Sequence, residues 1–526
     1  MTTNSSILLQ VLPELFQLIF INVLLLFAIL LSSPSFAKGQ KGYQSNTYEA
    51  KWIKPLLQTE PVTQITILGL LCSAALYINN HLSHAFAFGL IWDDLGRFMS
   101  VFLCFSAAAA LTLGTQALKR FSRYEFILII WLSAIGMLCL IKSYSFLAFY
   151  LSIELQSLSF YMLSAMRSRT EASAEAGLKY FILSAFSSAM LLLGMALVYG
   201  TIGSQTFGDL GMILNHFLAL EASYAQPFAA LYVGLGSICV SLLFKLGAAP
   251  LHAWIADVYE GSHTSITAWF AITAKIAIAT ALIRINTPNA LVYLLMAVAA
   301  ISLIVGSLSA MRQVKLKRLV AFSAVANAGW FVLALTTGQW QLMIIHLMIY
   351  TILSINLFSI FILPLFRSHP HLEYRARVLR TKDLSKSKSD VDHGANSNTI
   401  KYISDLNQIY KVNPSLALAM TISMFSLAGI PPLAGFYSKY LIVNAVTQSE
   451  QYLMLAIALG AAVISAFYYI RVVKSIYFSV PALGVNQWWF TIHESATNAY
   501  VTAITTGLTL VFFIKPDYFC IWLALV

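Results

Sequence analysis

Residues 242–261 read LLFKLGAAPLHAWIADVYEG. An apolar helix runs up to Lys245, is interrupted at Gly247 and Pro250, and resumes past His252. Proline removes a backbone donor and crowds the preceding turn, so carbonyls are freed that must find water or a partner. A lysine inside an apolar membrane helix costs roughly 2.5–3.5 kcal/mol on insertion scales. The same device recurs at 424–439, MFSLAGIPPLAGFYSK, where Gly429, Pro431 and Pro432 precede Lys439. Two Gly/Pro-interrupted apolar helices in separate parts of one chain, each beside a lysine, point to an ion-handling site built from inverted repeats in a membrane.

The rest of the chain agrees. Of 526 residues, 59 % are hydrophobic and only 10 % charged, and the mean hydropathy is +0.77. A soluble protein carries about 25 % charge; this chain could not cover itself in water. Apolar runs of about 20 residues, enough to span a bilayer as helices, recur from 7–32 to 496–515. They predict an all-α polytopic membrane protein with about fourteen transmembrane helices. The formal charge of +11 then concerns membrane orientation rather than nucleic acid. Of 32 Lys and Arg, 24 fall in odd-numbered loops, and only Arg97, Lys142, Arg284 and Lys515 in even loops and the tail. Both termini are therefore expected to face away from the compartment of synthesis. No Lys or Arg precedes Lys38, so the start resembles neither a secretory signal nor an import sequence. The first helix is expected to stay.

Five cysteines lie far apart with no CxxC pair, which indicates neither a disulfide framework nor a metal site. Heme, iron–sulfur and flavin fingerprints are missing too, so no redox centre is expected in this chain. One connection is long: 366–412, centred on LSKSKSDVDHGANSN, is polar and poor in aromatics, and reads as a solvated insertion. A second interruption, 201–226, reads as an interfacial amphipathic helix or a capped loop.

The charges inside the apolar runs carry the chemistry. They are Lys179, Lys245, Lys275 and Lys439, with one clear acid, Glu154. Lys179 lies nearest the start of its run and can reach the interface along its stem. The others lie deeper or follow a break, where ionisable side chains face the bundle interior and change protonation. In FYLSIELQSLSFYM (149–162), Tyr150, Ser157 and Tyr161 share a helical face with Glu154, narrowed by Leu158. A buried carboxylate alone takes up a proton and a buried amine loses one, whereas side by side both stay charged. A Glu–Lys pair in low dielectric is thus a switch. His252, seven residues beyond Lys245, is a candidate proton carrier; His346 reads as a packing residue.

At these residues a resemblance becomes specific. EAGLKYFILSAFSSAMLLLG (175–194), FKLGAAPLHAWIADVYEGSHT (244–264), FSAVANAGW (322–330) and MFSLAGIPPLAGFYSK (424–439) resemble the antiporter-like membrane subunits of respiratory complex I, the NADH:ubiquinone oxidoreductase, and among them the subunit 2 branch. The likeness runs from about residue 120 to 480; the insertion around 372–398 and the C-terminal end match less well. It implies a proton-translocating channel of two inverted five-helix repeats, each with a broken helix: 124–284 and 285–480, the latter containing the insertion 366–412. These would follow a three-helix segment, 1–123, and precede a C-terminal helix and tail, 481–526. It further implies that Glu154 and Lys245 are the Glu–Lys pair of the fifth and seventh helices, and Lys275 the central lysine of the eighth. Lys439 would be the lysine of the twelfth, where the subunit 4 relatives have glutamate, and Lys179 matches a sixth-helix lysine. With His252 these form the expected proton relay.

The resemblance implies no cofactor in this subunit; NAD, FMN, iron–sulfur clusters and ubiquinone belong to other parts of the complex. It implies as partners the other membrane-arm subunits (4 and 4L as neighbours, the lateral helix of subunit 5) and membrane lipids, cardiolipin among them. AFYYIRVVKSIYF and IKYISDLNQIYKVNPSLALAM look more mitochondrial than bacterial, with the plastid homologue the nearest competitor. The expected location is the mitochondrial inner membrane, termini on the intermembrane-space side. Two other functions compete: a cation/proton antiporter of the same ancestry, and a structural membrane protein whose polar residues only staple helices. Four intramembrane lysines against one glutamate are poor glue, which disfavours the second.

Overall fold

The computed structural model describes residues 2–32, 59–79, 85–87, 89–118, 125–166, 170–212, 225–285, 289–362, 365–367, 400–479, 490–492 and 496–514. The centre of the polar insertion, the loop lysines between 38 and 54, and the last twelve residues lie outside these. Twelve helices among the described residues are long and apolar enough to cross a membrane. They begin with α1 (Thr2–Ser32), α2 (Thr59–Asn79), α3 (Asp94–Leu118), α4 (Glu125–Lys142), α5 (Phe146–Ser164), α6 (Glu171–Ile202) and α7 (Ala225–Leu246). A short α8 (Ala253–Gly261) follows, then α9 (Thr264–Trp269), which passes through one π turn, Phe270–Ala274, into α10 (Lys275–Arg284) as a single span. Next come α11 (Asn289–Met311), α12 (Leu316–Thr336) and α13 (Trp340–Phe361). After a four-residue α14 (Ile409–Val412) stand the shorter α15 (Pro414–Ala428) and α16 (Ala434–Gln448), then the long α17 (Tyr452–Tyr477) and α18 (Ala496–Ile514). The only strands among the described residues form two short antiparallel pairs, Ala85–Ala87 with Leu90–Trp92 and Leu365–Arg367 with Phe490–Ile492.

The burial pattern is that of a protein in lipid. Large apolar side chains point outward from the peripheral helices: Ile19 and Leu26 on α1, Phe186 on α6, Leu453 and Val463 on α17 are all more than half exposed. Buried polar residues are concentrated inside. The span Thr264–Arg284 and α13 are each 94 % buried and α12 89 %, against 33 % for α6 and for α17. The helices carrying Lys275, His346 and Asn327 are therefore the axis around which the others pack. Close approach rests on small residues. A Cβ at Gly306 on α11 would come within 2.5 Å of the Ala326 backbone on α12.

Local chemistry sets the interruptions. Gly247 and Gly429 adopt φ of +83° and +84°, the left-handed region open to glycine at little cost. At each, the glycine N–H and the next residue's N–H turn back onto the last carbonyls of the preceding helix (Leu243 and Phe244; Phe425 and Ser426). This double closure is a Schellman stop. A cis X–Pro bond follows in both, Ala249–Pro250 and Pro431–Pro432. α15 is capped by Asn413, whose side-chain oxygen accepts from the Leu416 N–H, with Pro414 in the first turn.

Lys142, placed by sequence reading in an even-numbered loop, is instead the last residue of α4 and 2 % exposed. Its ammonium is ion-paired with Glu14 of α1. Hydropathy could not show this, because a lysine ending an apolar run looks like an interfacial anchor until the helix packed over it is known.

Candidate functional site

Lys245 ends α7 one residue before its stop, with the cation at the negative end of the helix dipole. Its ammonium donates to Ser184 Oγ at 3.4 Å, and the Tyr161 hydroxyl donates to the same oxygen at 2.7 Å. Glu154, one helical turn before Ser157 on α5, accepts from the Ser157 hydroxyl at 3.4 Å; its other oxygen is buried without a hydrogen-bond partner. Glu154 and Lys245 make no ion pair here. The expected pair is separated, and hydroxyls of α5 and α6 stand between the two charges.

Lys275 begins α10 just past the π turn and is 4 % exposed. Its ammonium donates to the Tyr350 hydroxyl at 2.9 Å and to the Ala324 carbonyl at 3.4 Å. Lys245 and Lys275 line one cavity together with Gln156, Ser157, Tyr180 and Tyr259. Its volume, about 20 Å³, is room for about one water.

The line continues on α13. His346 lies one turn from Tyr350, is 3 % exposed, and shares a 2.9 Å hydrogen bond through Nδ1 with Ser438 Oγ, next to Lys439. Lys439 turns back to the helix before its own break, donating to the carbonyls of Leu427 at 2.6 Å and Ala428 at 3.2 Å. Those acceptors exist because the stop at Gly429 leaves them outside the helical ladder. Gly429 is needed twice: a Cβ there would also meet Lys439 Cδ at 3.0 Å. The structure thus places Glu154, Ser157, Lys245, Lys275, Tyr350, His346, Ser438 and Lys439 along the interior of the bundle in separate hydrogen-bonded groups, and His346 Nε2 is buried without a partner between the Tyr350 and Ser438 groups.

Two expected members lie elsewhere. His252 sits in the α7–α8 break as the residue before α8, half-buried, its ring 6.3 Å from that of Phe322 and its Nδ1 without a partner. Lys179 lies at the rim with its side chain 41 % exposed, ion-paired to Glu175 at 2.6 Å and to Asp257 at 2.8 Å. Asp257 also holds Arg318 at 2.8 Å, and Glu260 binds Arg318 and Lys315. This clasp ties α8 to α6 and α12. Conversely, sequence reading gave His346 a packing role and did not single out Tyr350 and Ser438. Their spacing (His346 and Tyr350 at i, i+4; Ser438 beside Lys439) was the available signal, but pairing α13 with α16 needs the fold.

Asp257 lies past the long apolar helices, and the hydrogen bond from Lys179, helped by Arg318, holds its carboxyl below the ordinary range. A depressed acid contributes stability that is full above its unfolded pKa and is lost as pH falls through the folded one. Asp257→Asn is therefore expected to lower the melting temperature slightly and by a constant amount around neutral pH, as fits a half-exposed network. The gap to wild type should close only in acid. Equal melting of the two proteins at neutral pH would show that the clasp holds nothing.

Among the described residues, no cluster of three His, Cys, Asp or Glu is placed to hold a metal ion. The profile of the family described as NADH:quinone oxidoreductase/Mrp antiporter, transmembrane, matches residues 143–465. The NADH-ubiquinone oxidoreductase chain 2 of Marchantia polymorpha is 33 % identical over 517 residues, covering 96 % of this chain and 95 % of that protein. The NADH-quinone oxidoreductase subunit N of Pelagibacter ubique is 34 % identical over 470 residues, covering 87 % and 90 %. Among solved structures, a chain of respiratory complex I from Thermus thermophilus superposes with a TM-score of 0.70 at 26 % identity, covering 95 % of this chain and 97 % of that one.

Proposed function

The chain belongs to the NADH:quinone oxidoreductase/Mrp antiporter transmembrane family, and from that premise we propose that it is a proton-translocating membrane-arm subunit of complex I. It couples NADH oxidation by quinone to proton movement and contributes the channel rather than the redox chemistry. The observation that carries this reading is the line of buried lysines, hydroxyls and one histidine from Glu154 to Lys439, passing both helix breaks. Lysine is suited to such a line because its proton comes off when it is desolvated. The hydroxyls and the imidazole can each accept one proton while donating another.

In this reading Glu154, Lys245, Lys275 and Lys439 exchange protons, Tyr350, His346 and Ser438 bridge the two halves, and His252 serves the first break. Lys179 acts from the rim by holding α8 through Asp257. NAD, FMN, iron–sulfur clusters and quinone are held by other subunits. The neighbours are further antiporter-like subunits and membrane lipid. The excess of Lys and Arg in the odd-numbered loops of the sequence supports both termini on the intermembrane-space side of the mitochondrial inner membrane.

The family description also includes antiporters, so the decisive experiment is isolation of the native assembly through a tag on this chain. NADH:quinone activity and NADH-driven proton uptake into liposomes are expected to come with it. A chain that purifies without NADH-oxidising subunits and exchanges Na⁺ for H⁺ alone would establish the antiporter reading instead.

A further inference from the structure

Away from the central line, four more charges are drawn into the interior. Lys142 and Glu14, 2 % and 11 % exposed as side chains, form one ion pair, and Arg284 and Asp93, 8 % and 19 %, form another. Lys142 stands 4.0 Å from the centre of the Tyr77 ring, and the Tyr77 hydroxyl donates to Glu14 Oε1 at 3.4 Å while accepting from Gln17 Nε2 at 3.1 Å. Glu14 Oε2 is buried and has no hydrogen-bond partner. The second pair lies alongside. Arg284 forks onto Asp93 at 2.8 and 3.1 Å, and its Nε donates to the carbonyl of Ile141, the residue before Lys142. No side chain stands between them at Gly96, where a Cβ would lie 2.9 Å from Arg284 Nη2 and 3.6 Å from Lys142 Cγ. Arg284 closes the helix that Lys275 opens, nine residues or about 13 Å away.

A staple joining α1 to α4 would not need charge, since apolar residues of similar volume usually serve as well. The two pairs also differ in kind. Arginine keeps its proton, so Arg284–Asp93 is a fixed dipole; a lysine can give its proton up.

We propose that Glu14 and Lys142 are a further proton-exchanging pair of this chain, outside the Glu154–Lys439 line, at the end of the helix that carries Lys275. The proton moves from Lys142 Nζ to Glu14 Oε1, turning ammonium and carboxylate into amine and carboxylic acid. The amine then takes up an incoming proton, and the carboxyl turns about its Cγ–Cδ bond, carrying the protonated oxygen to the side where the unpartnered Oε2 stood, from which the proton leaves. One proton enters, one leaves, and the ion pair is restored. The proposal rests on the proton-translocating reading above.

The test is made in the assembled complex, measuring protons pumped per electron and NADH:quinone turnover. Glu14→Gln keeps the shape and both acceptor contacts but cannot ionise. Lys142→Arg keeps the charge and the pair but holds its proton. Each is expected to lower pumping by at least about twofold, with Glu14→Asp restoring much of it. Wild-type pumping in Glu14→Gln and Lys142→Arg would overturn the proposal. If Glu14→Gln does not assemble, Lys142→Arg decides; if neither assembles, the pair is a structural staple and the proposal falls. Lys275→Met, run alongside, tells the two failures apart: normal pumping there would condemn the parent reading, whereas a loss confined to Lys275→Met would condemn only this pair.

Discussion

Lys275→Met is expected to abolish proton pumping, with coupled NADH oxidation slowed at least about tenfold, while the complex assembles and melts no lower than wild type. The pairing of those outcomes follows from what surrounds the ammonium. Its hydrogen-bond acceptors are the neutral Tyr350 hydroxyl and the Ala324 carbonyl, and no carboxylate pairs with it. Removing one member of a buried ion pair strands the other, commonly at about 3–5 kcal/mol. Here nothing charged is stranded. Methionine retains most of the stem's volume, so little cavity opens, and the desolvation cost of a buried cation is relieved. A site that lowers stability for the sake of activity gives this signature when neutralised. Blue-native electrophoresis, thermal melting and NADH-driven acidification on one preparation would read all three. Normal pumping by the methionine complex would remove Lys275 from the proton line; failed assembly with an intact neighbouring pair, Glu14–Lys142, would show that the ammonium is structural.

The same electrostatics explain how far the sequence could be read. Long apolar runs and the Gly/Pro interruptions are local properties, and they located the membrane helices and both breaks; against the expected fourteen spans, twelve helices among the described residues are long and apolar enough to cross, the run broken at Gly429 being split into two helices of 15 residues. Lys245, Lys275 and Lys439 stood out because a lysine in such a run has a known cost. What each lysine meets is not local. Lys245 faces Ser184, 61 positions away, rather than touching Glu154, since the direction of two side chains depends on how α5, α6 and α7 are rotated against one another. His346 looked inert because its partner, Ser438, lies 92 positions on. Lys142 was misplaced for the same reason: its partner Glu14 is 128 positions earlier, on a helix whose docking site no periodicity reveals. In a membrane the outer face of a helix is as apolar as the inner one. Hydrophobic pattern then finds the helix but says little about which side is buried, and only the scattered hydroxyls and charges hint at it.

Lys439→Arg is expected to pump almost as poorly as Lys439→Ala, yet to resemble wild type in stability. In the structure this lysine has two duties that the substitutions separate. Its ammonium caps the carbonyls of Leu427 and Ala428, left free by the stop at Gly429, and it stands beside Ser438, the partner of His346. Alanine removes the cap and leaves two acceptors in a buried break, which costs stability. Arginine can restore the cap and the charge, since its guanidinium carries five donors and stays protonated. It cannot pass a proton to Ser438 and His346. If Lys439 carries protons, melting should therefore follow the cap, with arginine near wild type and alanine below. Pumping should follow the exchangeable proton, with both variants slow. Arginine complexes that pump normally while alanine complexes do not would make Lys439 a fixed charge holding the broken helix in place. The proton would then have to pass it through water among the freed carbonyls, and the line of exchanging side chains would end at His346.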